Sequence, residues 1–496
     1  LSFDKVFGIG AESDRPSVNT TMNTLKLTLH LALVAGFSFT LSPSLHAGLK
    51  SSQPALSVLG KPDFGNTTAN GPTANELGRA EGVAIDPNTS KVFVADATNH
   101  RILRFGATAA YQTGAAAEAV FGQADFISGL ANRGGAVAAN TLNTPRSLFV
   151  DAAGRLWVAD ASNHRVLRFD NASSKASGSN ADAVLGQANF ATTATATTQS
   201  GMSSPVGVTT DASGNLFVTD RTNHRVLIFY NAASKGNGAN ADRVLGQATF
   251  VTSAIGTTAS AFNFPWGVSV DGGGRLWVGD TANNRVLRFD GAATIGNGGA
   301  ASGVLGQADF VSSAVLPVGA NALNSPFYLA AAPDGTLWVG DFSHERYLGY
   351  KNAAAKANGG SADIVLGQPD FVTEGAAAAS ATGVNGANSV AIDKEGGLFA
   401  SDFNYNRILR YSGVVKVKAP AKVTAVGGKA IFRGTSEHAS VVRFKQPGAP
   451  FSDTKGNVTN WKAKVTGLSR PITRVRVQSV ALDGRKATKV VKVLNP

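Results

Sequence analysis

Asp160-Ala161-Ser162-Asn163-His164-Arg165-Val166-Leu167 and, sixty residues on, Asp220-Arg221-Thr222-Asn223-His224-Arg225-Val226-Leu227 decide how this chain is read. Each follows an aromatic-Val-small run, and the frame recurs. Its Asp falls at 96, 160, 220, 280, 341 and 402, and its Arg five residues later at 101, 165, 225, 285, 346 and 407. A second motif, Val-(Leu/Phe)-Gly-Gln-x-x-Phe, puts Gly at 60, 122, 186, 246, 306 and 367, with Lys61 replacing Gln in the first copy. Two independent markers at one period mean a repeat architecture of six units.

The fourth unit shows the local pattern. Trp266-Gly267-Val268-Ser269-Val270-Asp271 reads as a first strand, Gly272-Gly273-Gly274 as a tight turn and Arg275 to Asp280 as a second strand. Thr281 to Asn284 turn the chain, Arg285 to Phe289 form a third strand, and Val304-Leu305-Gly306 a fourth. Four short strands separated by turn residues make one blade of an all-β propeller.

The runs 96–102, 160–166 and 220–226, each carrying Asn-His-Arg, resemble the core of NHL repeats. The resemblance spans about 55–411 and implies a six-bladed NHL-type β-propeller of the bacterial secreted type. Asp341-Phe342-Ser343-His344-Glu345-Arg346 and Asp402-Phe403-Asn404-Tyr405-Asn406-Arg407 depart from it in the turn. The last unit, 388–411, lacks a following Val-Leu-Gly strand, whereas the first Val-Leu-Gly, 58–60, precedes any unit. The N-terminal strand is therefore expected to complete the sixth blade from outside, leaving only short, protected edges.

Charge separates the chain into parts. It carries 45 Lys and Arg against 33 Asp and Glu, a net +12, with 56 Gly, two Met and no Cys. Residues 412–496 hold 17 of those cations against Glu437, Asp453 and Asp483, whereas 48–411 is nearly neutral, with 25 basic and 27 acidic residues. Without cysteine, disulfides, thiolate metal sites and cysteine nucleophiles are excluded. Arguments about anionic partners belong to the tail. There Ala430 to Arg433, Ser440 to Phe444, Trp461 to Val465, Thr473 to Gln478 and Ala487 to Leu494 mostly alternate apolar with basic residues. That is the pattern of half-buried strands, and by pattern it is similar to an immunoglobulin-like or fibronectin-like β-sandwich over 421–496, reached through a linker at 412–420.

At the other end, Met22 to Lys26, an apolar run from Leu27 to Leu41 and Ser44-Leu45-His46-Ala47 read as a signal peptide cleaved after Ala47. Residues 1–21 then read as an over-extended start. The apolar run is too short for a transmembrane anchor, which needs about 20 residues, so the protein is expected to be exported, to the periplasm or the cell surface.

Function is sought where the repeat breaks. A turn used six times needs six copies of its Asp and Arg, so these are scaffold: Asp accepts turn N–H groups and Arg bridges to it. His100, His164 and His224 share one repeat position and raise the question of zinc. Sheets packed face to face are about 10 Å apart, however, too far for a shared ion with bonds of about 2.1 Å. The residue entering each first strand never repeats: Glu81, Arg146, Val206, Trp266, Phe327 and Asn388. First strands line a propeller's axis, so these six are expected at one mouth, with Asn388, Glu81 and Arg146 facing Val206, Trp266 and Phe327. They read either as a ligand site or as an internal Glu81–Arg146 pair beside aromatics that plug the channel. Arg221, Phe342, His344, Glu345, Phe403 and Tyr405, in turns on the same face, also break the repeat and are secondary candidates.

No cofactor is expected from the residues themselves. Resemblance to calcium-dependent lactonase propellers implies a metal role for Glu81, with Asn388 as a further oxygen donor for calcium or zinc. The other ligands of that family have no counterpart here, nor do the catalytic groups of streptogramin or peptide-amidating lyases, and fold does not confer activity. The expected function is recognition of a protein, peptide or glycan at the mouth, with the basic tail serving anionic polymers. The alternative is a metal-dependent hydrolase or lyase in the same mouth. Some NHL propellers bind RNA, but a neutral ring and export argue against nucleic acid.

Overall fold

The computed structural model describes residues 49–68, 71–413, 416–418, 420, 422–424, 429–437, 441–447, 449–456, 460–466, 472–480 and 486–494. The signal peptide expected over 22–47 and the extension over 1–21 lie outside the described residues. What is described is all-β, its only helical pieces being 3-10 turns of three or four residues. No described helix is long and apolar enough to cross a membrane.

Each repeat forms a four-stranded antiparallel sheet. In the fourth, Pro265–Val270 pairs with Leu276–Asp280, then Arg285–Phe289, then Gly303–Leu305. The strands are rich in β-branched, aromatic and leucine residues, and most are buried on both faces, as stacked sheets require. The first strands begin at Ala80, Pro145, Pro205, Pro265, Pro326 and Ala387, each with a register shift just after that residue. Proline is tolerated there because the first residue of a strand need not donate to the ladder. The final repeat supplies three strands, Ala387–Ile392, Leu398–Asp402 and Arg407–Tyr411, and Ser57–Leu59 pairs antiparallel with Ile408 to Arg410 as the fourth.

Apolar layers fill the gaps between sheets. Phe121, Leu156, Leu167 and Phe169 lie between the first and second, and Phe217, Ile228, Leu276 and Phe289 between the third and fourth. A corresponding layer joins sixth to first, where Phe399 and Ile408 pack with Val83, Val92, Val94 and Leu103. The glycine of the Val-Leu-Gly motif has φ between +81° and +88° in all six copies, a conformation glycine adopts without steric cost. At Gly246 there is also no room, since a Cβ would lie 2.0 Å from Phe262 Cδ2.

The Asp–Arg node ties each sheet together. Arg285 Nε donates to Asp280 Oδ2 at 2.7 Å, its Nη2 to the carbonyls of Thr258 and Ala261, and its Nη1 to the Phe310 carbonyl. Asp280 Oδ1 accepts the Asn263 N–H at 2.7 Å. Arg407 repeats this in the sixth sheet, but the carbonyl on its Nη1 belongs to Phe64, from the far end of the chain. Burial pushes the Asp280 carboxyl up to about 6 and that of Asp402 up to about 7, against the pull of their arginines.

The tail forms two further sheets. One runs Lys416–Lys418, Ala430–Glu437, Asn460–Val465, Lys455–Gly456; the other runs Lys422–Thr424, Lys486–Leu494, Ile472–Val480, Val441–Lys445, Ser452–Asp453. Lys416–Lys418, within the stretch read as a linker, thus pairs with Thr435 to Glu437. Phe432, Ala463 and Val465 from one sheet and Val442, Val475, Val477, Val491 and Val493 from the other share a buried cluster.

Candidate functional site

Two positions per repeat meet at one end of the first strands: the second residue of that strand, and the residue after the repeated Asp. The first set is Glu81, Arg146, Val206, Trp266, Phe327 and Asn388; the second is Ala97, Ala161, Arg221, Thr281, Phe342 and Phe403. A polar arc forms on one side. Glu81 is fully buried, and its Oε1 accepts Arg146 Nη1 at 2.7 Å and Arg79 Nη2 at 3.1 Å, while Oε2 accepts Asn388 Nδ2 at 3.1 Å.

An aromatic arc continues from it. The Arg146 guanidinium lies 5.1 Å from the Trp266 ring centre. Trp266 stacks on Phe327 at 4.3 Å with 4° between planes, and Phe327 on Phe342 at 4.3 Å and 16°. Phe342 meets Phe403 edge-on at 5.6 Å, and the Arg79 guanidinium lies 4.7 Å from the Phe403 ring. The contacts therefore form a circuit: Arg79, Glu81, Arg146, Trp266, Phe327, Phe342, Phe403 and back to Arg79. Stacked aromatic pairs and cation–π contacts each add about 0.5–1.5 kcal/mol beyond area burial. Val206 is buried with Ala161, Trp266 and Tyr328 just behind. Arg221 faces the same indole at 4.7 Å and Phe264 at 4.7 Å. Burial lowers the Arg221 guanidinium from its usual value, and the nearby Arg146 charge adds to this.

All six residues expected at the mouth belong to this circuit or pack against it, as do Arg221, Phe342 and Phe403. His344, Glu345 and Tyr405 are engaged by the scaffold instead. His344 is buried and its Nδ1 lies 3.0 Å from Asp341 Oδ2, where Asn283 Nδ2 meets Asp280 in the fourth sheet. Glu345 Oε2 accepts the Gly386 N–H, and Tyr405 donates its hydroxyl to the Ala377 carbonyl at 2.9 Å. Three participants escaped the sequence reading. Arg79 lies two residues before Glu81. Tyr328 stands where the other sheets have Gly82, Ser147, Gly207, Gly267 and Ser389, a break in the repeat that could have flagged it. Phe264, with φ +51°, occupies a left-handed position otherwise held by Thr144, Ser204, Ser325 and Gly386.

The three repeat histidines do scaffold work. His100, His164 and His224 sit at φ +49° to +53°. Their Nδ1 atoms each accept a backbone N–H of the next repeat, from Thr144, Ser204 and Phe264, at 3.0 Å. Accepting at Nδ1 requires the neutral ring, and desolvation lowers all three below the usual histidine value. Among the described residues no group of three His, Cys, Asp or Glu side chains converges to hold a metal ion. At Glu81 and Asn388 a cation would have to displace two guanidiniums and an amide from the carboxylate. That donor set does not fit calcium or zinc.

Residues 142–169, 202–229 and 262–289 match the NHL repeat family. They coincide with the first three strands of the second, third and fourth sheets, so three of the repeats match that family. No curated protein matches it closely enough to count as a relative. Among solved structures it is similar to virginiamycin B lyase from Staphylococcus aureus (11% identity over 69% of this chain and 98% of that one, TM-score 0.40). It is likewise similar to a gluconolactonase from Xanthomonas campestris (13%, 74% and 98%, TM-score 0.39). The extracellular domain of a hybrid two component system from B. thetaiotaomicron also matches (12%, 90% and 60%, TM-score 0.41). Likenesses this remote carry no activity over to this chain.

Proposed function

We propose that this is an exported binding protein: a closed, six-bladed NHL-type propeller that recognises a protein, peptide or glycan at one mouth, followed by a basic immunoglobulin-like sandwich that engages anionic polymers. The circuit of non-repeating side chains carries the reading. A scaffold of sixfold sameness has no need of Arg146, Trp266, Phe327 and Phe342, and aromatic and Arg anchors are what binding hot spots use. Closure is supported by the pairing of Ser57–Leu59 with Ile408 to Arg410 and by the apolar layer between sixth and first sheets. The sandwich is supported by its strand order and by the parallel pairing of Lys422–Thr424 with the last strand, as in immunoglobulin domains.

The anionic role rests on the outer faces of the tail sheets. Arg433 lies directly across from Lys462, Arg474 from Lys492 and Lys445 from Arg476. Like charges directly opposite are destabilising, and an anionic polymer would relieve all three pairs. No observation favours metal-dependent hydrolysis or elimination at the mouth.

The test is an array of glycans and peptides probed with residues 48–496 and with Arg146→Gln and Phe342→Ser variants. A ligand held by the native protein and weakened at least about tenfold in both variants, but not in the exposed outer-edge variant Val311→Ser, supports the reading. Ligands bound equally by all four proteins overturn it.

A further inference from the structure

We infer that the mouth contains an oxyanion site in which Arg221 and Arg146 together receive a carboxylate or phosphate group of the ligand. The inference rests on the mouth being the ligand site and names the chemistry that this site takes.

Arg79 and Arg146 share one carboxylate, Glu81, whose two oxygens are taken up by Arg79, Arg146 and Asn388, while the Arg221 guanidinium lies at the Trp266 and Phe264 rings close enough to feel the Arg146 charge. Arg221 is left over. Among the described residues no carboxylate or carbonyl accepts from it, and its Nε is buried with no partner. Each of the six scaffold arginines, by contrast, is bound to an aspartate and to two or three carbonyls. Nor does the fold require the residue, since the same position is Ala97, Ala161, Thr281, Phe342 and Phe403 in the other repeats.

Donors outnumber acceptors in the same place. Arg79 Nε is also buried without a protein partner, and the Trp266 indole N–H and the Tyr328 hydroxyl, 8% and 4% exposed, have only each other; against these donors stands one unmatched acceptor, Asn388 Oδ1. An unmatched buried donor costs about 1–3 kcal/mol, and native proteins keep few. Such a cluster calls for a group rich in lone pairs. Geometry says where that group sits. Phe327 covers one face of the Trp266 indole at 4.3 Å, so the Arg146 and Arg221 guanidiniums, 5.1 and 4.7 Å from the ring, crowd its other face and edges. The two cations share this ring and the Arg146 charge works against that of Arg221, a repulsion that an oxyanion between them would relieve, and Arg forks match carboxylate and phosphate oxygens. The half-buried rings of Phe327 and Phe342 continue the stack from Trp266, which suits a small acid with a flat or apolar body.

Calorimetry of residues 48–496 with benzoate, inorganic phosphate and neutral benzamide tests the inference. Benzoate or phosphate should bind, benzoate at least about tenfold more tightly than benzamide. Arg221→Gln should weaken the anion about 10- to 100-fold, the range for losing a hydrogen bond to a charged group, while Arg221→Lys retains part of the affinity. Preference for benzoate assigns a carboxylate, and preference for phosphate a phosphoryl group. A second readout separates a binding role from a structural one: without ligand, Arg221→Gln should leave the melting temperature nearly unchanged, because relief of the unmatched buried Nε, about 1–3 kcal/mol, offsets the loss of two cation–π contacts of about 0.5–1 kcal/mol each. Equal binding of benzoate and benzamide, or an Arg221→Gln variant that binds anions normally, overturns the oxyanion site while leaving the mouth reading intact. Failure of both anions to bind also overturns it, and the array result then decides separately whether the mouth binds anything.

Discussion

The three histidines at the repeat junctions should make the propeller acid-sensitive in a way that one set of substitutions removes. Each Nδ1 accepts a backbone N–H at 3.0 Å, from Thr144, Ser204 or Phe264. Protonation turns that acceptor into a donor facing another donor. A backbone hydrogen bond is worth about 0.5–1.5 kcal/mol net, so losing three costs about 2–4 kcal/mol. Desolvation lowers the folded-state value of all three below the ordinary 6.5. The unfolded chain therefore takes up protons that the folded chain refuses. The stabilisation is complete above about pH 6.5 and is lost as pH falls from there through the lowered values. The fourth repeat supplies the control, because Asn284 occupies the same left-handed position and its Oδ1 accepts the Ser325 N–H at 3.0 Å. Asn is at ease in that conformation and does not titrate. The triple variant His100→Asn/His164→Asn/His224→Asn should match native Tm at pH 7.5 and fall more slowly toward pH 5. Unfolding entropy for about 360 residues is about 0.8 kcal/mol per degree, so the two curves should separate by about 3–5 °C. Buried carboxyls such as Asp280 and Asp402 titrate alike in both proteins and cancel in the difference. Thermal circular dichroism across that pH range is the assay. Parallel curves for the two proteins would refute the assigned hydrogen-bonding role.

Two further outcomes are expected. Gly267→Ala places a Cβ 2.4 Å from the Phe327 carbonyl oxygen and 2.5 Å from Tyr328 Cα; the backbone cannot yield, so urea unfolding should show a loss of about 1–3 kcal/mol or more, and an unchanged midpoint would contradict the packing between fourth and fifth sheets. In the tail, retention of residues 48–496 on immobilised heparin should fall steeply with salt, and Arg474→Gln with Lys492→Gln should shift elution to lower salt while Arg275→Gln, in the propeller, does not.

Sequence periodicity exposed the scaffold because the scaffold is made of residues doing one job six times. Asp280 and Arg285 recur with their spacing since the turn they close recurs, and Gly246 recurs since its φ and its contact with Phe262 leave no alternative. The non-repeating entry residues pointed to the mouth for the opposite reason. What the sequence withheld was direction. His344, Glu345 and Tyr405 break the repeat as plainly as Phe342 does, yet their side chains replace the Asn and His that serve the turn elsewhere. Compensated change and free change look the same in a row of letters. Tyr328 puts a bulky ring at a position of Gly and Ser, a break masked by the adjacent break at Phe327.

The two kinds of departure differ in their hydrogen bonds. Where His344 replaces Asn or Glu345 replaces His, the newcomer's polar atoms find the partners their predecessors had, Asp341 and the Gly386 N–H. Where Arg221 stands in place of Ala, Thr or Phe, a buried Nε enters with no acceptor among the described residues, and where Tyr328 replaces Gly or Ser its hydroxyl meets only the Trp266 indole N–H, a second donor. A substitution that preserves the local bonding keeps the turn intact and predicts only stability. One that brings unmatched donors carries a standing cost of about 1–3 kcal/mol each. Selection for stability alone would remove such a residue, and at Arg221, which neither the repeat nor a scaffold bond calls for, an acceptor supplied from outside the chain is the better explanation.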